Sequence, residues 1–197
     1  MYQIHTTPGF IIESRPSGEA GKLLAIFTRD LGLIWAIAQG IRLETSKLRY
    51  HLQEYSFGLF SFVRGKEFWR LTSADSRPDE REVLHGSHAS VELIVRMSLL
   101  LRRLLHGEES HPELFIEIES AAHFIREHSS LTAEQTLTLE SLIVFRMLKL
   151  LGYIGADKGI DARFTTDPFS VELIDAALIH RKTLNMHINK ALKESHL

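Results

Sequence analysis

The hydrophobic pattern of this 197-residue chain changes period once, near Ser76-Arg77-Pro78-Asp79. Before that point the apolar residues come in short runs rich in β-branched and aromatic side chains, bounded by turn residues. After it they recur at helical spacing. A chain cannot serve both periods in one layer, so the pattern predicts strands first and helices second, an α+β protein. The expected domains are residues 1–76 and 77–197.

The N-terminal part offers five strands. Gly9 to Ser14 (GFIIES) and Lys22 to Thr28 (KLLAIFT) flank Arg15-Pro16-Ser17-Gly18-Glu19, which carries turn chemistry. Arg29-Asp30-Leu31-Gly32 reads as a hairpin turn into Leu33 to Ala38. Phe57 to Val63 and Glu67 to Thr72 meet across Arg64-Gly65-Lys66, a glycine-centred loop. Between the third and fourth runs lies AQGIRLETSKLRYHLQ, Ala38 to Gln53, in which Leu43, Leu48 and Leu52 recur at near-helical spacing. Five strands with a short helical segment between the third and fourth is the arrangement of an OB-fold, a small Greek-key barrel. The fold class expected is therefore an N-terminal OB-fold β-barrel followed by an all-α helical domain.

Helices account for the rest. Val91 to Leu105 is apolar almost all round, with Ser87 or Ser90 able to cap it, and is expected to be central. Leu114, Ile118, Ala121, Ala122 and Ile125 follow the helical i, i+4, i+7, i+8, i+11 spacing. Thr132-Ala-Glu-Gln135 is a capping box opening a helix to about Leu151, where Gly152 stops it. Residues 153–167 read as a loop, and one or two helices should occupy Val171 to Glu194.

Composition limits function. The net charge is −2, so no overall basicity points to nucleic acid. The first 75 residues hold nine Lys/Arg against seven Asp/Glu, a mild local excess. There is no cysteine, which removes disulfides and thiolate zinc sites. The start, MYQIHTTPGF, lacks signal-peptide features, and Val91 to Leu105 is too short and too charged to span a bilayer, so a cytoplasmic protein without membrane contact is expected. Eleven histidines include His85-Gly-Ser-His88, but no third or fourth ligand stands in register. No G-x-S-x-G, H-E-x-x-H or Walker loop is present. No catalytic residue, metal, cofactor or small-molecule substrate is expected.

The group that does suggest chemistry is basic. Arg42, Lys47 and Arg49 lie close together against the single acid Glu44, and Arg15, Arg64, Lys66 and Arg70 could join them on a barrel surface. Lys and Arg release counterions from a phosphate chain, the sequence-independent part of nucleic-acid binding. Trp35, Tyr50, Tyr55, Phe68 and Trp69 could stack bases, or could simply fill the barrel core.

These residues also carry a family resemblance. G-F-I-I-E-S-R-P-x-G-E-x-x-x-L-L-x-x-F-T-x-x-x-G at 9–32, I-A-x-G-I-R with S-K-L-R-x-x-L-Q at 37–53, and the Leu-Leu-Gly at 150–152 resemble RecO, the bacterial recombination-mediator family. The resemblance is specific over about residues 9–75 and looser over the helices. It implies an OB-fold and a helical domain, binding and annealing of single- and double-stranded DNA, contact with the C-terminal tail of the single-stranded-DNA-binding protein SSB, and work with RecR in loading RecA. By position it nominates Arg15, Arg42, Lys47 and Arg49 for DNA, with Gly18, Gly32 and Gly40 as turn residues. Two departures stand out. Gln39 occupies a position where relatives often carry Lys, and the four-cysteine zinc module many relatives carry after the Leu-Leu-Gly helix is missing. The chain ends at Ser195-His196-Leu197, where relatives usually continue into a basic tail, so it reads as a short, zinc-free form. For the SSB tail the region to search is Val91 to Leu105 with Arg96, Arg102 and Arg103, unless these arginines pair with Glu113 or Glu117. The rival readings are an OB-plus-helix adaptor for proteins only, and an enzyme whose groups the sequence does not reveal.

Overall fold

A computed structural model of the chain describes residues 3–39, 51–75, 87–155 and 159–195. The first five elements are β1 (Ile4–Ser17), β2 (Gly21–Thr28), β3 (Gly32–Ala38), β4 (Phe57–Val63) and β5 (Trp69–Asp75). They close into a barrel in the order β1-β2-β3-β5-β4, with β3 and β5 parallel and every other pair antiparallel. This is the expected OB-like barrel. Closure depends on the length of β1: its second half, Gly9 to Ser17, pairs with β2, and its first half, Ile4 to Phe10, pairs with β4. A register shift between Ile11 and Glu13 marks the bend between the two pairings.

Two expectations change here. Only Gly9 to Ser14 is apolar enough to be read as a strand, yet β1 also takes in the polar His5-Thr6-Thr7 and Arg15-Pro16-Ser17, because their backbones find partners on β4 and β2. Arg15 is thus a strand residue opposite Leu23, and the turn shrinks to residues 18–20. Likewise β5 begins at Trp69 rather than Glu67, leaving a five-residue loop, 64–68, after β4.

Alternation along the strands fills the barrel with Ile11, Leu24, Ile26, Ile34, Ala36, Phe60, Phe62 and Trp69, and Leu52 joins them from the segment before β4. A second apolar face, Phe10, Phe27 and Phe57, lies against Phe115, with ring centroids of Phe27 and Phe57 5.6 and 6.2 Å from it. Gly32 has φ +71°, and a Cβ there would stand 2.2 Å from the Glu109 carbonyl oxygen, so only glycine fits this hairpin. Gly18, at φ +62°, is the other left-handed turn glycine expected.

The helices are α1 (His88–Leu104), α2 (Pro112–Glu127), α3 (Ala133–Leu150), α4 (Arg163–Thr166) and α5 (Val171–Glu194). The chain divides into two compact units, Met1–Leu84 with Ser98–Phe115 and His85–Met97 with Ile116–Leu197, so the division runs through α1 and α2. Ser87 rather than Ser90 caps α1, its Oγ accepting from the Ser90 amide. The helix is not buried all round: Leu93, Ile94, Met97, Leu101 and Leu104 form the buried stripe, while Leu99 is exposed. Thr132 and Gln135 form the expected capping box of α3, and Gly152 follows it at φ +79°. The stretch 153–167 is more than a loop. Arg146 of α3, 3 % exposed, donates from Nε to the Phe164 carbonyl at 2.6 Å and from Nη2 to that of Asp167 at 2.7 Å, holding α4 in place. Its Nη1 reaches Glu117 at 2.9 Å, and the guanidinium lies 4.4 Å from the Phe169 ring.

Candidate nucleic-acid interface

The site is built from the β4–β5 loop. Gly65 lets that loop fold tightly, since a Cβ there would come 2.1 Å from the carbonyl oxygen of Phe68. Arg64, Lys66, Phe68 and Arg70 then border an open groove of about 680 Å³ whose apolar wall is Ile37 and Val63. Glu67 also borders it. Loops between strands 1–2 and 4–5, with the face of strands 2–3, are where OB barrels take up oligonucleotides.

Pairing register extends the groove into a row. Arg15 sits opposite Leu23, Leu23 opposite Ile37, Ile37 opposite Arg70, and Arg70 opposite Val63. Cross-strand partners share a face. This face is outward, because the adjacent positions Leu24, Ala36, Phe62 and Trp69 are buried. Two arginines therefore flank partly exposed aliphatics on one outer strip of the barrel.

The cations on this strip are in two conditions. Arg64 makes an ion pair with Glu108, which also accepts from Trp69 Nε1 at 3.1 Å, and the Arg64 guanidinium stands 4.9 Å from the Trp69 ring. Arg15 pairs with Glu13, and so does Arg102. Arg15 and Arg102 both lie over the Trp35 ring, at 5.5 and 5.9 Å. Lys66 and Arg70 are exposed and have no ion pair among the described residues. The exposed Arg64–Glu108 pair adds little to stability, but each acid offsets one positive charge that a phosphate would otherwise meet.

Of the seven basic residues expected at the interface, the structure brings Arg64, Lys66 and Arg70 to one groove and sets Arg15 on the same row. Arg42, Lys47 and Arg49 lie outside the described residues, as does Gly40. Glu13 and Glu108, which govern Arg15 and Arg64, were not nominated from the sequence, where nothing local distinguishes them from other acids. The α1 arginines do not pair with Glu113 or Glu117: Arg96 binds Glu92 and Glu140, Arg102 binds Glu13, and Glu117 is held by Arg146. His88 faces Glu92 at 3.3 Å, while His85 lies outside the described residues. Among the described residues no group of three or more His, Asp or Glu could hold a metal, and no helix is long and apolar enough to cross a membrane.

Two barrel groups with perturbed ionisation, Asp30 and Tyr55, do not border the groove. At the β2–β3 turn the Arg29 side chain hydrogen-bonds Asp30 and holds its carboxyl below the usual range, with Thr7 adding a weaker hydrogen bond against the opposing effect of burial. Burial raises the Tyr55 phenol, helped by Glu54 and Glu13.

Residues 1–77 match the family described as Recombination protein O N terminal. A DNA repair protein RecO of Heliobacterium modesticaldum is 34 % identical over 103 residues, covering 49 % of this chain and 37 % of that protein. Those of Alkaliphilus metalliredigens and Clostridium acetobutylicum are 24 % and 27 % identical over 152 and 153 residues, covering 76 % and 78 % of this chain and 57 % and 59 % of theirs. The chain thus spans about half the length of the curated relatives it matches. These matches support the RecO family.

Proposed function

We propose that this chain, a member of the RecO family, is a non-enzymatic recombination mediator in DNA repair that binds single- and double-stranded DNA on the outer strip of its barrel. The observation that carries the reading is the groove at the β4–β5 loop, where Lys66 and Arg70 stand exposed beside Arg64 with no acid paired to them among the described residues. Such a strip attracts a phosphate chain without reading its sequence. Arg42, Lys47 and Arg49, nominated by the family resemblance, are further phosphate-binding residues in this reading. In this reading the barrel, residues 1–76, holds the DNA backbone, and the helical part, 77–197, docks protein partners, the two together annealing DNA and helping to load recombinase. RecR and the SSB C-terminal tail are its protein partners. The supports for these finer roles are the family resemblance and the names of the relatives.

The test is binding of labelled DNA by the full chain at several salt concentrations. About five neutralised phosphates, one for each of Lys66, Arg70, Arg42, Lys47 and Arg49, give a slope of log K against log salt near −3.5 for single strands, at roughly −0.7 per contact. Changing Lys66 and Arg70 together to Ala should flatten the slope by about 1.4, and a folded Arg42/Lys47/Arg49 triple Ala variant should flatten it by about 2. Binding that ignores both sets of changes removes the reading. The acids seated on Arg15 and Arg64 favour one competitor, a barrel that contacts proteins only, and absence of any DNA binding would select it.

A further inference from the structure

The barrel half of the chain has several aromatics that a base could stack on, and the structure disposes of most of them. Trp69 is only 6 % exposed, with its indole N–H engaged by Glu108 and Arg64 over its ring. Trp35 faces outward, yet Arg15 and Arg102 both lie over it, tied to the same Glu13. Tyr55 is partly buried, held in a left-handed backbone at φ 65° by its amide donating to the Ile11 carbonyl at 2.7 Å. Phe68 differs. It is 36 % exposed and borders the groove beside Lys66 and Arg70, with Ile37 and Val63 as apolar wall. The Gly65 backbone closes against its carbonyl, which holds the Phe68 backbone at the edge of the groove.

We propose that this groove takes one or two nucleotides of a single strand, with a base against the Phe68 ring and the neighbouring phosphates on Lys66 and Arg70. The proposal rests on the DNA-binding reading and adds to it a residue that tells single strands from duplex. In a duplex each base has both faces covered by its stacked neighbours, so only an unpaired, unstacked base can reach an aromatic ring on the protein surface. Phosphates are equally available in both forms. Phe68 therefore contributes to single-strand binding alone, whereas Lys66 and Arg70 contribute to both. Base identity is not read, because every base has a π-face. The volume is sufficient, since sites of about 300–1,000 Å³ enclose ligands of this size.

The experiment measures anisotropy of a labelled oligo-dT and of a duplex of equal length with the full chain, each at three salt concentrations. Phe68→Leu keeps the apolar packing and removes the ring. It should weaken single-strand binding about 10-fold, the effect of losing one stacked base, leave the salt slope unchanged, and shift duplex binding less than about twofold. A second measurement changes the DNA instead of the protein: a strand of abasic sites should bind the unmodified chain about 10-fold more weakly than oligo-dT does, and F68L should lose nothing further on it. Equal loss on duplex and single strand, or no loss on either, overturns the proposal while leaving DNA binding intact. Failure of the unmodified chain to bind both DNAs overturns the DNA-binding reading, and this proposal with it.

Discussion

Arg146 in the helical unit and Arg64 on the barrel are built from the same parts and do different things. Each guanidinium is paired with a glutamate and lies over an aromatic ring, Glu117 and Phe169 for Arg146, Glu108 and Trp69 for Arg64. Their surroundings separate them: the Arg146 side chain is 3 % exposed and that of Arg64 is 59 %. In the dry site buried donors need partners, and Arg146 also donates from Nε and Nη2 to the carbonyls of Phe164 and Asp167. It therefore acts as a structural tie. In the wet site water screens the pair, so it adds little to stability, and its effect is that the carboxylate offsets a positive charge. The same chemistry serves architecture when buried and regulates charge when exposed.

The comparison is broken most directly at its buried end. Arg146→Ala leaves Glu117 and two carbonyls without their partner, and should cost about 3–5 kcal/mol of stability. Urea denaturation measures it, and a loss below about 1 kcal/mol would mean water replaces the guanidinium and the tie is not structural. Gly32→Ala comes next, because it disturbs the seat of the segment that carries Glu108. The left-handed φ and the 2.2 Å approach to the Glu109 carbonyl should together cost about 2–4 kcal/mol, read by the same unfolding experiment.

At the exposed end the effect is on binding. Glu108→Gln keeps an acceptor for Trp69 and removes the charge, so the salt slope on single strands should steepen by about 0.7 and affinity at low salt should rise several-fold. Arg64→Ala should change the slope little, because that cation is already offset. If Arg64→Ala flattens the slope as much as Lys66→Ala does, Glu108 does not hold it in solution. The smallest effect belongs to Asp30, whose carboxyl is lowered chiefly by the hydrogen bond from Arg29. A depressed folded-state value means its contribution is present above the ordinary aspartate value and is lost as pH falls through the folded one. The pair is about half exposed, so Asp30→Asn should cost no more than about 0.5 kcal/mol at pH 7. Thermal melts from pH 7 down to pH 3 should show that difference closing below about pH 4.

Much of the architecture is legible in the sequence. The capping box at Thr132 and Gln135, the stop at Gly152 and the glycine at Gly32 were all visible, because caps and turns are decided by residues within a few positions of one another. The polar ends of β1 were not visible, because His5 and Arg15 become strand only through partners on β4 and β2. Among the site residues, Arg64, Lys66 and Arg70 announce themselves as bases around one loop glycine. That Phe68 is the open ring while Trp35 and Trp69 are covered depends on arginines and acids that arrive from elsewhere in the chain.

Hydrophobic period and local turn chemistry thus determined the barrel, the helices and the positions of the basic residues, since both act over a few residues of chain. Which of those bases remain free to meet a phosphate was decided only by the tertiary structure. Glu108 reaches Arg64 across 44 residues and Glu117 reaches Arg146 across 29, and Coulomb attraction acts on distance in space rather than on separation along the chain.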